Sequence, residues 1–291
     1  MKKVTKSRIW ELDFLRGFAI IMVVLDHAFY DFSSLFSNWA GCGSPLLEWL
    51  NEVGTKYLHS DVRAFWRPAF LFVFFSVSGI CTGMSRNNLK RGLKLWVVAC
   101  GLSLVTFLAS EITGENVFIL FGVLHCLAIV NLLYALFELI LKGVFLLLAK
   151  YGKKEISIKV RQIIKCSLCL IISVVFLIVN FEFNIRIHEI ESFTKWNESK
   201  NALTGMFFYA REWQTGDYFP VFPYIIFFFF GAFLSIFYTK KQTLLPRLDG
   251  VWHNVFTVFG RHSLGMYLMG QVVAIGLGLV LSYAILGTAF I

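Results

Sequence analysis

Charge is scarce in this chain. Only 15% of its 291 residues are Asp, Glu, Lys or Arg, against 57% hydrophobic residues and a mean hydropathy of +0.70. A water-soluble domain carries roughly a quarter charged residues, and with fewer it cannot clothe its core in polar surface. A soluble globule of this length is therefore excluded. Proline is also rare, at 5 residues, while Phe alone numbers 32, which excludes a disordered or low-complexity chain. Cysteines are few and placed for packing. Cys81, Cys100, Cys126, Cys166 and Cys169 fall inside apolar runs, and only Cys42 lies in an expected exterior loop, so no intramolecular disulfide is expected. The Cys166 and Cys169 pair has no second pair to complete a metal site and reads as buried thiols in a helix. A cleaved signal peptide is not expected either. Asp13 and Arg16 interrupt the approach to FAIIMVVL, Asp26 and His27 follow it, and no small-residue cleavage site appears.

What the chain has instead is apolar runs of spanning length. Stretches of about 20 mainly apolar residues cross a bilayer as helices. Seven such runs occupy roughly residues 14–32, 65–84, 93–110, 118–141, 163–181, 220–238 and 263–286, with 142–149 extending the fourth. The expected fold is an all-α integral membrane protein, a polytopic bundle of about seven transmembrane helices forming a single domain over residues 1–291. Basic residues sit in alternate loops: 19 of the 27 Lys and Arg lie before the first run, or between runs two and three, four and five, and six and seven, with Lys94 and Lys165 just inside the edges of the third and fifth. Residues 111–117, after the third run, hold Glu111 and Glu115 but no Lys or Arg. Cytoplasmic loops collect Lys and Arg, so the N-terminus is expected in the cytoplasm and the C-terminus outside. The net charge of +9 belongs to these loops and implies no nucleic-acid partner.

Ionisable side chains inside a span are expensive and mark function. The first run carries Asp13, Arg16, Asp26, His27 and Asp31. At about 100° per residue, Asp13, Arg16, Ile20, Val24, His27 and Asp31 share an arc of about 80°, while Glu11 and Asp26 point elsewhere. His27 and Asp31 lie one turn apart in the outer half. A carboxylate accepting from one imidazole nitrogen would leave the other as a base; a satisfied core histidine is the competing reading. His125, in FGVLHCLAI, and Asp217, in DYFPVFPY, fall at the same expected depth, and the four together form a candidate catalytic centre.

A second cluster lies toward the cytoplasm: Asp13 and Arg16 open the first run, and Arg261 and His262 the seventh. Guanidinium groups there suit a phosphorylated ligand, although inner-leaflet anchoring by basic residues stands beside that reading. On the exterior side Arg67, with Arg63, suits an anionic acceptor or a lipid headgroup. The exterior loop 182–219 holds Trp196, Tyr209, Trp213 and Tyr218 among glutamates. Such rings serve sugars and amines, and equally an interfacial belt. No metal site is expected.

Five motifs occur in order: ELDFLRGFAIIMVVLDHAFYDF (11–32), FSVSGICTGMSR (75–86), FGVLHCLAI (121–129), DYFPVFPY (217–224) and GRHSLGMYL (260–268). Together they resemble the bacterial branch of the heparan-alpha-glucosaminide N-acetyltransferase catalytic-domain family, among the transmembrane acyltransferases. The resemblance spans nearly the whole chain. It implies a multi-helix bundle that takes acetyl from cytoplasmic acetyl-CoA and passes it to an amine or hydroxyl across the membrane. It implies that His27 occupies the first-helix active-site position, where the lysosomal branch carries Asn, and that His125 sits where that branch carries Gln. Set against the lysosomal branch, the expectation is a shorter bundle with fewer spans and no separate lumenal domain.

The resulting expectation is an integral acyl-CoA acyltransferase acting on an extracytoplasmic sugar or glycan. His27, Asp31, His125 and Asp217 would do the chemistry, Asp13, Arg16, Arg261 and His262 would hold acetyl-CoA, and Arg67, Trp213 and Tyr218 would bind the acceptor. The expected location is a multi-pass bacterial plasma-membrane protein whose partners are lipids, acyl-CoA and the acceptor, with a homodimer left open. The alternative is a proton-coupled small-molecule transporter that uses the same His/Asp stripe as a relay.

Overall fold

A computed structural model describes residues 9–114, 117–152, 156–189, 202–208, 217–238 and 242–287. The protein is an all-α polytopic membrane protein, and no strand occurs among the described residues. Helices are α1 (Trp10–Tyr30), α2 (Pro45–Leu58), α3 (Asp61–Ile80), α4 (Asn88–Thr113), α5 (Val123–Gly152), α6 (Ile158–Glu189), α7 (Ala202–Phe207), α8 (Val221–Leu234), α9 (Asn254–Arg261) and α10 (Ser263–Leu286). A π-helical turn, Asp31–Leu35, follows α1.

Among the described residues, six segments are long and apolar enough to cross a membrane: Asp61–Met84, Asn88–Ile112, Val123–Gly152, Ile158–Phe181, Val221–Tyr238 and Ser263–Leu286. They correspond to the second through seventh runs of the sequence. The first run is helical too, but Glu11, Asp13, Arg16 and Asp26 make α1 too charged to count by composition. The expected exterior loop 182–219 is shorter than the sequence indicated, because α6 continues through Glu189. Several long helices turn apolar side chains outward: Val97 on α4 is 70% exposed, Leu146 on α5 69% and Val280 on α10 65%. Apolar faces of this extent are what a helix presents to lipid rather than to water.

Contacts divide the chain into two compact units, Met1–Phe74 with Gln242–Ile291, and Phe75–Lys241. In the first, α1 packs along α9 and α10, and α2 packs on α1 and the π turn. Two glycines permit the α1–α9 crossing. A Cβ on Gly17 would lie 2.7 Å from the carbonyl carbon of Phe256 and 2.8 Å from the Gly260 nitrogen, and one on Gly260 would lie 2.6 Å from the carbonyl carbon of Asp13. Small residues at such crossings let helix backbones touch. Below them, Trp10 stacks on His253, with ring centroids 4.3 Å apart. Glu11 is buried and accepts hydrogen bonds from the Thr243 hydroxyl and, at 2.7 Å, from the Leu245 amide. At the other end Phe36, Trp39 and Leu47 are fully buried together, and the Trp39 indole donates to Ser282 Oγ at 2.7 Å.

In the second unit α4 runs along α5 and α6 along α8. Tyr134 and Phe228 form its centre, with ring centroids 5.9 Å apart. The residues from Phe75 to Ile80 meet α8 closely, where Gly79 faces the Ala232 nitrogen and Gly231 faces Ser76.

Candidate active site

In the first unit α1 and the π turn after it present three groups, Asp26, His27 and Asp31. Asp26 is buried and fully engaged: Arg63 donates to it in a fork, Nε to Oδ1 at 2.8 Å and NH2 to Oδ2 at 3.3 Å. The Tyr57 hydroxyl donates to Oδ1 at 3.1 Å, and the Arg67 Nε lies 3.7 Å from Oδ2. Burial, with the Asp26 carboxylate beside it, pushes the Tyr57 hydroxyl up to about 12, so this hydroxyl keeps its proton and acts as donor. α2 and α3 are thereby tied to the residue preceding His27.

His27 is only half-buried, and among the described residues no hydrogen bond engages its ring. Its nearest aromatic neighbour is Tyr267 on α10, edge-on at 6.4 Å between centroids. Asp31 is buried, but its partner is not His27. Gln271 Nε2 donates to Asp31 Oδ2 at 2.8 Å. The expected His27–Asp31 pair is therefore absent among the described hydrogen bonds. Asp31 opens the π turn, where Phe36 N–H bonds to the Asp31 carbonyl at 2.8 Å, so the regular i, i+4 register does not continue through it.

Toward the other end of α1, the structure gathers three of the four residues expected to hold a phosphorylated ligand. Arg16 NH1 lies 3.5 Å from Asp13 Oδ1 and donates to the Gly260 carbonyl at 3.4 Å, while Arg261 Nε lies 3.7 Å from Asp13 Oδ2. Two guanidinium groups thus flank one carboxylate at the glycine crossing. The fourth, His262, is exposed between α9 and α10, and no described hydrogen bond engages its ring.

In the second unit His125 and Asp217 come together at the start of α5. His125 is the third residue of that helix, and its Nδ1 accepts the Gly122 N–H at 3.3 Å. Asp217 Oδ2 accepts the Val123 N–H at 3.4 Å. A helix N-terminus leaves several N–H groups without an internal partner, and negative charge there is favourable. Because Nδ1 accepts, the neutral ring carries its hydrogen on Nε2, which donates to Ser103 Oγ at 3.3 Å. The Ser103 hydroxyl in turn donates to the Ile119 carbonyl at 2.7 Å. Both ring nitrogens of His125 are therefore occupied by the protein, which gives His125 and Asp217 a capping role.

A family model for heparan-alpha-glucosaminide N-acetyltransferase, catalytic, matches residues 8–272. The chain belongs to this family. All five motifs of the sequence lie within the matched stretch. Membership makes it a transmembrane acetyltransferase by family. No curated protein and no solved structure shows a match.

Of the acceptor residues expected in this family member, Arg67 reaches Asp26, while the Tyr218 hydroxyl is bonded to the carbonyls of Gly205 and Phe208 at 2.7 and 2.8 Å. Trp213 lies outside the described residues. Among those residues, no group of three or more His, Cys, Asp or Glu gathers to hold a metal ion.

Sequence reasoning missed Asp26, Tyr57 and Gln271 as parts of the site. It also missed a polar set in the second unit, where Asn88 Nδ2 donates to Glu138 at 2.7 Å and Lys165 pairs with Glu138 at 3.0 Å. The available signal was the same for Gln271, Glu138 and Lys165. Each is a strongly polar side chain inside an otherwise apolar run, where a partner is obligatory.

Proposed function

We propose that this chain is an integral-membrane acyltransferase that moves acetyl from acyl-CoA on the cytoplasmic side to an amine or hydroxyl of an extracytoplasmic sugar or glycan. α1 is read as a seventh span, with the N-terminus cytoplasmic. The family supports the transfer of acetyl, and the observation that carries the assignment of the base is the state of His27. Asp13, Asp26, Asp31, His125 and Asp217 all have protein partners. The His27 ring is half-buried and has no such bond among the described residues.

In this reading the acceptor's nitrogen or oxygen attacks the thioester carbonyl, and His27 takes the proton that the nucleophile loses. The carbon–sulfur bond then breaks, and the departing thiolate of CoA receives that proton. Arg16 and Arg261 hold the phosphates of CoA, with Asp13 fixing both guanidiniums. Arg67, held by Asp26, contacts the acceptor. His125 and Asp217 serve the reaction by fixing the start of α5.

General base catalysis contributes about 10²–10⁴-fold to a rate. His27→Ala in purified protein reconstituted in liposomes is therefore expected to lower acceptor-dependent thiol release from acetyl-CoA by at least about 10²-fold, with an unchanged thermal midpoint. Normal turnover in the folded variant defeats the assignment of His27.

A further inference from the structure

Two helical turns face each other in the first unit. His27 and Asp31 lie one turn apart on one side, and Tyr267 and Gln271 one turn apart on α10. The rings of His27 and Tyr267 meet edge-on, and Gln271 Nε2 donates to Asp31 Oδ2 at 2.8 Å. Because Asp31 Oδ2 accepts this bond, the Gln271 amide turns its nitrogen toward Asp31 and its oxygen away from it. That oxygen, Gln271 Oε1, is buried and has no hydrogen-bond partner among the described residues. An unpaired buried acceptor is costly, and natural proteins keep few of them. Here it lies on the residue that faces the turn following His27, the histidine whose ring also lacks a hydrogen bond among the described residues.

We propose that Gln271 is an acceptor-binding residue of the His27 site, and that Asp31 acts through it as a positioning residue. Gln271 Oε1 receives an N–H or O–H hydrogen of the acceptor sugar, holding its nucleophile beside His27. Asp31 keeps the amide from turning over, since a flipped amide would present a donor where the acceptor also brings a donor. This role rests on the acyltransferase reading and gives Asp31 a task other than orienting His27.

The test is steady-state thiol release by the full-length protein in liposomes, with acetyl-CoA as donor and glucosamine or a mixed glycan pool as acceptor. Gln271→Leu removes the acceptor atom and is expected to raise the KM for the sugar by about tenfold, leaving the KM for acetyl-CoA unchanged. Asp31→Asn frees the amide to turn and is expected to do the same. The double variant Asp31→Asn with Gln271→Glu restores the arrangement, because the new amide donates to one carboxylate oxygen while the other faces the acceptor. Its sugar KM is expected to return toward the wild-type value, which keeps the test decisive if Gln271→Leu folds poorly. A merely structural role would move the thermal midpoint and both KM values together, and that result overturns the proposal. So does a wild-type sugar KM in Gln271→Leu, and in that case the acyltransferase reading stands. Absence of thiol release from the wild-type protein with every acceptor defeats the acyltransferase reading, and this role falls with it.

Discussion

Replacing Gly17 by Ala probes the contact on which the cytoplasmic cluster is built. The added Cβ would sit 2.7 Å from the carbonyl carbon of Phe256 and 2.8 Å from the Gly260 nitrogen. Carbon atoms rest at about 3.5–4.0 Å, so α1 and α9 must part by about 1 Å. The obstacle is backbone, which has no rotamer to change. Overpacking of this kind costs about 1–3 kcal/mol. An alanine at an unobstructed helix position instead stabilises by up to about 1 kcal/mol. Gly276 on α10 is such a position, where an added Cβ would meet nothing within 4 Å. The two substitutions should therefore differ by about 1–4 kcal/mol, with Gly17→Ala the less stable. Thermal unfolding of both variants in detergent reads this directly, with the midpoint of Gly17→Ala lowered and that of Gly276→Ala unchanged or raised. Because Asp13 meets Arg261 and Arg16 meets the Gly260 carbonyl across this crossing, the KM of Gly17→Ala for acetyl-CoA should rise as well. Equal midpoints for the two variants refute the claim that close backbone contact holds α1 on α9.

Three further substitutions follow from the same geometry. Asp26→Asn breaks the fork with Arg63 and leaves a half-buried guanidinium without its counter-charge; removing one partner of a buried pair costs about 3–5 kcal/mol, toward the lower end here because Arg63 keeps some solvent access, and removing Arg63 in the same chain should recover part of the lost thermal midpoint. His125→Phe leaves the Gly122 N–H without its acceptor and should destabilise by about 1–3 kcal/mol, whereas Asp217→Asn retains an oxygen for the Val123 N–H and should cost less; the reverse order in thermal unfolding contradicts the capping role. Trp39→Phe keeps the stacked ring but removes the donor to Ser282, and a loss of about 1–2 kcal/mol is expected in the same assay.

Apolar runs made the membrane helices legible, because a helix facing lipid must be apolar over about 20 residues. The run at 263–286 coincides with α10. α2 and α9 escaped for the converse reason. They are short, and α2 carries Glu48, Glu52 and Lys56 among its apolar residues, so neither makes a continuous run. The site was legible as residue types and not as partners. His27 and Asp31 share a face of α1 by periodicity, but a helical wheel describes one helix alone. Asp31 turns to Gln271, a residue 240 positions away, at the point where the helix widens into a π turn. Asp26, off the charged stripe, was set aside for the same reason, although a carboxylate at that position requires cations, and Arg63 and Arg67 stood one turn apart to supply them. His125 appeared as a polar group within a run starting near residue 118. α5 begins at Val123, and that shift of five residues moves His125 from the body of a helix to its cap.

The most direct test of the account separates the two substrates by a membrane. Proteoliposomes would hold glucosamine inside, with acetyl-labelled CoA added only outside, for the wild-type protein and His27→Ala. The account predicts labelled acetyl on the enclosed sugar, matched by free CoA outside, and loss of both in the variant. Label that never crosses, or sugar that moves while acetyl-CoA stays intact, contradicts it.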